Sequence, residues 1–244
     1  MPPQLTCLAT NTTKHFAKHL TTIGFGTEII YSFVIIITSL MIYFGTKELY
    51  ELSSHKGIKY FRLAFLYFAI AYFFRSFIKF ILVYFNTRTI FDICPRTIMP
   101  IINHITLFIF IYFSSMAIFY LLYSIIWKKW NHNQNRLYLF HLLAMALSVI
   151  ILFSKNPLTH LLINIFLLIF VILIIHFAHK QKEKKFRHNN LYTIYILLFI
   201  FWILNILDIL IPNFFQTSQL FIYLASITVF LTILYRVLKK SGSN

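Results

Sequence analysis

Apolar residues run along the chain in seven long stretches that are separated by short polar segments. A helix needs about 20 apolar residues to cross the hydrocarbon core of a bilayer. The stretches, which we number as spans one to seven, cover about 28–46, 58–85, 100–127, 137–153, 158–178, 191–211 and 218–237. The pattern predicts an all-helical (all-α) fold: a polytopic integral membrane protein with seven transmembrane helices in a single domain, residues 28–238.

The boundary between spans four and five is the least marked. Proline breaks a helix and disfavours helix at the residue before it, so the segment Ser154-Lys155-Asn156-Pro157 predicts a tight turn. The stretch on each side is long enough to span alone. We therefore expect a helical hairpin here.

The distribution of Lys and Arg predicts the orientation of the helices across the membrane. Seven spans place the two termini on opposite sides of the membrane. One side carries fifteen Lys and Arg, in the loops 47–62, 127–136 and 180–187 and at the C-terminal end, whereas the other side carries five. Because cytoplasmic loops are enriched in Lys and Arg, we expect an extracytoplasmic N-terminal segment, 1–27, and a short cytoplasmic tail, 239–244.

The composition supports a membrane protein and indicates its partners. Hydrophobic residues make up 59% of the 244 residues and charged residues only 11%, against about 25% charged in soluble domains. The net charge of +16 lies in short clusters between apolar stretches, which is typical of contact with anionic lipid and not of nucleic-acid binding. The expected partners are the lipid bilayer, anionic headgroups at the cytoplasmic loops and a cytoplasmic protein, in a multi-pass protein of the cell membrane.

Polar residues from five spans share one level, the outer leaflet. They are Glu28, Arg75, Lys79, Asn103, His104, His160, Asn164, Asn205 and Asp208. Because charge in lipid is costly and tends to pair, we expect Arg75 to pair with Asp208 first, and Glu28 with Lys79 second. Two readings fit the set: a polar pocket that opens to the outside, or hydrogen bonds between helices with Arg75 and Lys79 extending to the headgroups.

The small and helix-breaking residues indicate how the helices pack. No Gly or Pro lies in the middle of a span, whereas many transporters break their helices near the midplane with these residues. The helices should therefore be continuous, which disfavours a transporter or channel. Ala and Ser are concentrated in spans two, three, four and seven, and we expect these four to pack most tightly.

Enzyme chemistry finds little support in the motifs. The chain has no G-x-S-x-G, no P-loop and no dinucleotide-binding fingerprint, so we predict no catalytic residues and no cofactor. An intramembrane enzyme would need His104, His160 and Asp208 to converge on a metal ion, and no spacing in the sequence requires that convergence. No metal site is therefore predicted.

The two cysteines, Cys7 and Cys94, both fall on the predicted outer side. In an oxidising exterior they can form a disulfide that ties the N-terminal segment to the loop between spans two and three. Two free thiols fit the sequence equally well.

The stretch from Lys47 to Arg75 contains a short charged linker followed by Tyr-Phe-x-x-Ala-Phe at the start of span two. It resembles the start of prokaryotic seven-helix sensor modules, including the membrane part of some histidine kinases, and is similar to uncharacterised seven-helix proteins of archaeal genomes. The resemblance implies the seven-helix topology and a sensor-like role. Such sensors continue into a cytoplasmic signalling domain, which the predicted tail does not contain.

These observations favour a non-enzymatic membrane protein of sensor-like, receptor-like or scaffold type. It would bind a small ligand or lipid in the outer-leaflet polar pocket, or hold a partner through its basic cytoplasmic loops. A small transporter or channel is the alternative, and a metal-dependent intramembrane enzyme is the second alternative.

The predicted direction can be checked at the C-terminus. A tag attached after Asn244 should be inaccessible to an antibody added to intact cells and accessible once the membrane is permeabilised, because the basic side of the protein faces the cytoplasm. Labelling of the tag on intact cells would contradict the predicted orientation.

Overall fold

In the computed structural model, residues 23–84, 95–127, 135–154, 156–184, 189–211 and 216–241 are described. Every regular element among them is an α-helix. They are α1 (Ile23–Gly45), α2 (Lys47–Ser53), α3 (Lys56–Tyr84), α4 (Pro95–Ile126), α5 (Asn135–Phe153), α6 (Pro157–Lys184), α7 (Asn189–Leu210) and α8 (Gln216–Ser241).

The helix lengths and compositions confirm the prediction of an all-helical, multi-pass membrane protein at this level of detail. Six helices within the described part of the chain, α1, α3, α4, α6, α7 and α8, are long and apolar enough to cross a membrane. The fourth predicted span corresponds to α5, whose apolar part, Leu137–Phe153, is shorter.

Several helices extend beyond the predicted spans, and two of them illustrate why. Helix α1 begins at Ile23, so the last residues of the predicted N-terminal segment are already helical, and α6 continues to Lys184, beyond the predicted end of span five. Polar residues can continue a helix outside lipid, because its backbone hydrogen bonds do not depend on an apolar surrounding. Hydropathy therefore marks the lipid-facing part of a helix and not its ends.

The short helix α2 lies in a segment that the sequence predicted as a loop, and that prediction was wrong. Lys47 and Glu51 face each other across one turn with a 3.7 Å ion pair, a spacing that supports short helices. The helix stops at Ser54, which has a left-handed backbone (φ 48°) and donates its N–H to the carbonyl of Tyr50. Leu52 is 80% exposed, so α2 presents an apolar side chain outside the bundle.

Six helices form a closed ring in the order α1, α3, α4, α6, α7, α8, in which α8 returns to α1. Helix α5 lies outside the ring and packs on α4, with little contact to α6. Hydrogen bonds help to hold it there, because His141 of α5 contacts the hydroxyl of Tyr112 through Nδ1 at 3.0 Å and that of Tyr120 through Nε2 at 3.5 Å.

The expectation that spans two, three, four and seven pack most tightly holds for only some of the pairs. Helices α3 and α4 form the most extensive contact, and α5 packs on α4, but α8 packs against α1 and α7. Helix α8 meets α3 and α7 through large rings: Phe230 lies 6.4 Å from Phe65 of α3 and 4.5 Å from Phe201 of α7, centroid to centroid. These fully buried rings fill the space between the helices, and large rings keep the backbones apart.

Helices α3 and α4 approach each other closely at a glycine. A Cβ placed on Gly57 would lie 2.8 Å from the backbone oxygen of Ser124 and 2.8 Å from Nε1 of Trp127. The backbone oxygen of Ser124 is part of a helix and moves only with it, so relief of this contact would require α4 to shift against α3. Gly57 therefore permits a contact that any side chain would push apart.

We expect Gly57→Ala to lower the free energy of unfolding by about 1–3 kcal/mol, the usual range for a substitution that forces extra atoms into a packed contact. Gly26→Ala is the matched control, because nothing lies within 4 Å of a Cβ at that position. Melting temperatures in detergent, read by loss of the monodisperse peak, should fall for the first variant only. Equal melting temperatures for the two variants would contradict this packing.

Candidate functional site

Arg75 of α3 lies between two carboxylates that come from other helices. Its Nη2 is 3.1 Å from Oε1 of Glu28 on α1 and 3.5 Å from Oδ2 of Asp208 on α7, and its Nε donates to the same Glu28 oxygen at 3.3 Å. The side chains of Arg75, Glu28 and Asp208 are only 20%, 16% and 12% exposed. We call these three residues the Arg75 cluster. It joins three helices of the ring through charge.

Two further helices contact the Arg75 cluster through aromatic rings. The guanidinium lies over the ring of Phe110 on α4, 5.2 Å from its centroid, an arrangement in which the negative face of the ring attracts the cation. Tyr223 of α8 lies close to Asp208. The cluster is therefore contacted by five of the six ring helices.

A line of hydrogen bonds lies beside the Arg75 cluster. Tyr72, one turn before Arg75, donates its O–H to Oδ1 of Asn205 at 2.9 Å. The hydroxyl of Tyr31 lies 3.2 Å from that of Tyr72, and since the proton of Tyr72 is used, Tyr31 is the donor. The ring of Tyr31 also stacks on Tyr223 with a 4.7 Å centroid separation. These bonds satisfy polar groups that lipid cannot.

A cavity of about 110 Å³ lies beside the Arg75 cluster. The cavity is lined by residues of α3, α4, α6 and α7. They are Arg75, Thr106, Leu107, Phe110, His160, Asn164, Asn205 and Ile209. Asn164 is buried, donates to the carbonyl of His160 at 2.8 Å and accepts at its own backbone oxygen from Nε1 of Trp202 at 3.1 Å. Polar groups from four helices therefore meet around one space.

Two groups at this cavity have hydrogen-bonding capacity that the surrounding described residues do not use. Nε2 of His160 is buried and has no hydrogen-bond partner there. The bonds of Arg75 occupy Nε and Nη2, which leaves the two N–H donors of Nη1. Because Arg75 and His160 both line the cavity, a polar molecule in it would lie beside both residues.

The structure brings together six of the nine predicted polar residues. Arg75 pairs with Asp208, and Glu28, expected beside Lys79, pairs with Arg75. The six are Glu28, Arg75, His160, Asn164, Asn205 and Asp208. His104 does not belong to the described lining of the cavity. The side chains of Lys79 and Asn103 lie outside the described part of the molecule, as do Cys7 and Cys94.

The geometry does not assemble the metal site that an enzyme would need. Within the described ranges, no three His, Cys, Asp or Glu side chains lie close enough to hold a metal ion. His104, His160 and Asp208 therefore do not converge there.

Sequence reasoning missed the tyrosines of this site. Tyr31, Tyr72 and Tyr223 were counted with the apolar residues, because a tyrosine ring is compatible with lipid. A signal was nevertheless present: Tyr72 and Arg75 are three residues apart on one helix, a spacing that puts both on one face. An aromatic hydroxyl beside a buried charge needs a partner.

The chain is 32% identical over 219 residues to an uncharacterised protein of Archaeoglobus fulgidus, and the match covers 87% of this chain and 92% of the relative. The resemblance to uncharacterised archaeal proteins is confirmed by this match. No protein-family model matches the chain, and no solved structure matches it. A sensor module or histidine-kinase family is not shown by these comparisons.

Removing the cation should lower the free energy of unfolding more than removing either carboxylate of the cluster does. Arg75→Gln leaves two carboxylates without their cation. We expect the free energy of unfolding to fall by about 3–5 kcal/mol, as it does when one partner of a buried ion pair is removed. Asp208→Asn should cost less, because Glu28 still pairs with Arg75.

The matched control is the triple variant Glu28→Gln, Arg75→Gln, Asp208→Asn, in which no buried charge is left unpaired. Its melting temperature in detergent should lie above that of Arg75→Gln alone. A triple variant that is less stable than the single one would show that these charges do not act as a unit.

Proposed function

The chain belongs to the same family as the uncharacterised Archaeoglobus fulgidus protein, and from the geometry of the Arg75 cluster we propose that it is a non-enzymatic sensor-like or receptor-like protein. In this proposal the six ring helices and α5 are the seven spans. They form one domain of a multi-pass protein of the cell membrane, with the N-terminus outside. A small polar ligand or a lipid headgroup enters the cavity beside Arg75 from the outer side. The basic cytoplasmic loops contact anionic lipid or a protein partner.

The direction of the helices around the cavity supports seven spans. Thr106 of α4 and His160 of α6 line the same cavity, yet α4 continues for about 30 Å beyond Thr106 at 1.5 Å per residue. Helix α5 must bring the chain back from that distant end before α6 begins at Pro157. It therefore crosses about the same thickness as its neighbours, although its apolar part is shorter.

The Arg75 cluster lies at the height where one helix starts and another ends. Glu28 lies near the start of α1 and Asp208 near the end of α7, and both reach Arg75. Neighbours that alternate in this way place the end of α8 on the opposite side of the bundle from the start of α1. With Lys and Arg concentrated on the C-terminal side, the positive-inside rule puts the Arg75 cluster in the outer leaflet.

The observation that carries a binding function is the pair of unused polar groups at the cavity. A buried nitrogen without a partner, such as Nε2 of His160, costs free energy in the empty protein. A ligand that bonds this nitrogen and Nη1 of Arg75 would remove that cost. Such a ligand is polar and small, because the cavity of about 110 Å³ admits only a few heavy atoms or the end of a longer molecule.

The helix contacts suggest how occupancy could be transmitted. Arg75 shares its donors among Glu28, Asp208 and the cavity, so a ligand that draws the guanidinium towards itself weakens bonds to α1 and α7. The long helices run without interruption from this level to the basic end. A small change in their relative height or rotation would therefore reach the cytoplasmic loops. Unbroken helices also favour this role over a transporter.

The variant His160→Phe tests the proposal without disturbing any hydrogen bond of the His160 ring seen among the described residues. It replaces the ring by one of similar size and removes the unsatisfied nitrogen, so the melting temperature of the empty protein should stay the same or rise slightly. Purified wild type should be screened by thermal shift against small carboxylates, phosphate esters, polyols and short-chain lipids. A ligand at 100 times its Kd stabilises by about 2.7 kcal/mol.

We expect at least one class of these compounds to raise the melting temperature of the wild type and to lose this effect in His160→Phe. Ser148→Ala, a change on α5 away from the cavity, serves as the control and should keep the effect. A shift that is equally large in His160→Phe, or no shift with any class, would contradict a ligand site in this cavity.

A further inference from the structure

A second arginine, Arg62, lies at the opposite end of the bundle, close to the start of α3. It is only 9% exposed. Its Nε donates to the backbone oxygen of Tyr43 on α1 at 3.0 Å. The guanidinium lies over two tyrosine rings, 4.8 Å from the centroid of Tyr43 and 5.7 Å from that of Tyr50 on α2. Two aromatic faces and one carbonyl therefore hold the cation in a fixed place.

Unlike Arg75, this arginine has no carboxylate beside it within the described ranges. The ion pairs found there are those of Arg75 and the exposed pair Lys47–Glu51. The hydrogen bond of Arg62 uses Nε, which leaves the four N–H donors of Nη1 and Nη2. Neither nitrogen is among the buried polar atoms that lack a partner, so both remain open to the surroundings. A guanidinium held in this way presents a planar fork of donors to an anion.

The residues around this fork add positive charge. Lys59 is exposed and lies three residues before Arg62 on α3, on the same side of the helix. Lys47 follows Tyr43 by one turn and is exposed at the start of α2. Glu51, the acidic residue one turn beyond Lys47, is engaged by that lysine at 3.7 Å. An anion that reached the fork would meet Lys59 as a further cation, and Lys47 with its charge partly offset by Glu51.

The position of the fork indicates which anion reaches it. Helix α1 ends two residues after Tyr43, and α2, with its exposed Leu52, begins at once. Tyrosines, a short helix with an outward apolar side chain and snorkelling lysines are typical of the boundary between lipid tails and water. At that boundary the abundant anion is the phosphate of a lipid headgroup.

We propose that Arg62, flanked by Lys47 and Lys59, forms a binding site for the phosphate of an anionic phospholipid at the end of the bundle opposite the Arg75 cluster. The planar guanidinium would contact two phosphate oxygens at once, a geometry that lysine cannot reproduce. The two lysines would favour a headgroup without a positive charge, such as glycerol, over choline. The site goes beyond the proposed ligand cavity and shares no residue with it.

The test uses the full chain in nanodiscs of phosphatidylcholine with an increasing fraction of phosphatidylglycerol. The wild type should melt at a higher temperature as that fraction rises. Arg62→Gln should need about tenfold more phosphatidylglycerol for the same shift, as expected for the loss of a charge-assisted hydrogen bond. Lys239→Gln is the matched control, because Lys239 is also a cation over a tyrosine, 5.9 Å from the centroid of Tyr235. It should change the response by less than twofold.

Arg62→Lys separates a binding site from a structural role. It keeps the charge but loses the planar fork and the Nε bond to Tyr43, so its melting temperature in phosphatidylcholine alone should fall. Its further rise with phosphatidylglycerol, measured from that lower value, should be smaller than that of the wild type. The proposal is overturned if Arg62→Gln and Lys239→Gln respond alike. It is also overturned if soluble glycerol 3-phosphate reproduces the whole shift in phosphatidylcholine discs, since the ligand would then not be a lipid. His160→Phe should respond to phosphatidylglycerol like the wild type, so the two sites can fail independently.

Discussion

The ion pairs of Arg75 are the constraint around which this bundle is arranged. A guanidinium among apolar helices cannot be left without counter-charge, because lipid supplies no water to solvate it. Its carboxylates come from α1 and α7, which are far apart in the sequence, with α8 and α4 contacting the same group through Tyr223 and Phe110. The contacts of this one cation therefore fix the relative height and rotation of most helices in the ring.

The rest of the ring is held by large side chains instead of close backbone contact. Helices in lipid gain little from excluding water and depend on dispersion contacts and hydrogen bonds. Here the rings of Phe65, Phe201 and Phe230 fill the centre, and among the glycines Gly26, Gly45 and Gly57, it is Gly57 that lies so close to another backbone that a Cβ would not fit. Rings have few rotamers and keep their contacts with little loss of conformational entropy. A rigid aromatic interior suits a protein whose moving parts are a few polar contacts.

The buried arginines at the two ends of the bundle have opposite surroundings. At one end Arg75 is opposed by two acids and borders a cavity; at the other Arg62 is held by a carbonyl and two tyrosine rings and keeps its Nη donors. The first arrangement is suited to a contact that a small ligand can shift. The second is suited to a fixed attachment to anionic lipid. A protein with both would have one end anchored while the other responds, which is the division that the proposed function needs.

The amino-acid sequence by itself determined the membrane environment, the all-helical fold and the approximate position of each long helix, because apolar stretches of this length have no other stable surrounding. It also identified most of the polar residues of the candidate site, since Glu28, Arg75 and Asp208 stand out in apolar segments. Only the tertiary structure decided that Glu28 belongs to Arg75, that Tyr31, Tyr72 and Tyr223 join the site, that α5 lies outside the ring, and that α2 is a helix. The physical reason is that hydropathy reports the exchange of a residue with lipid along one dimension. Which helices become neighbours depends on the rotation of each helix, on ring shapes and on the choice among several counter-charges, and these are settled only when all the helices pack together.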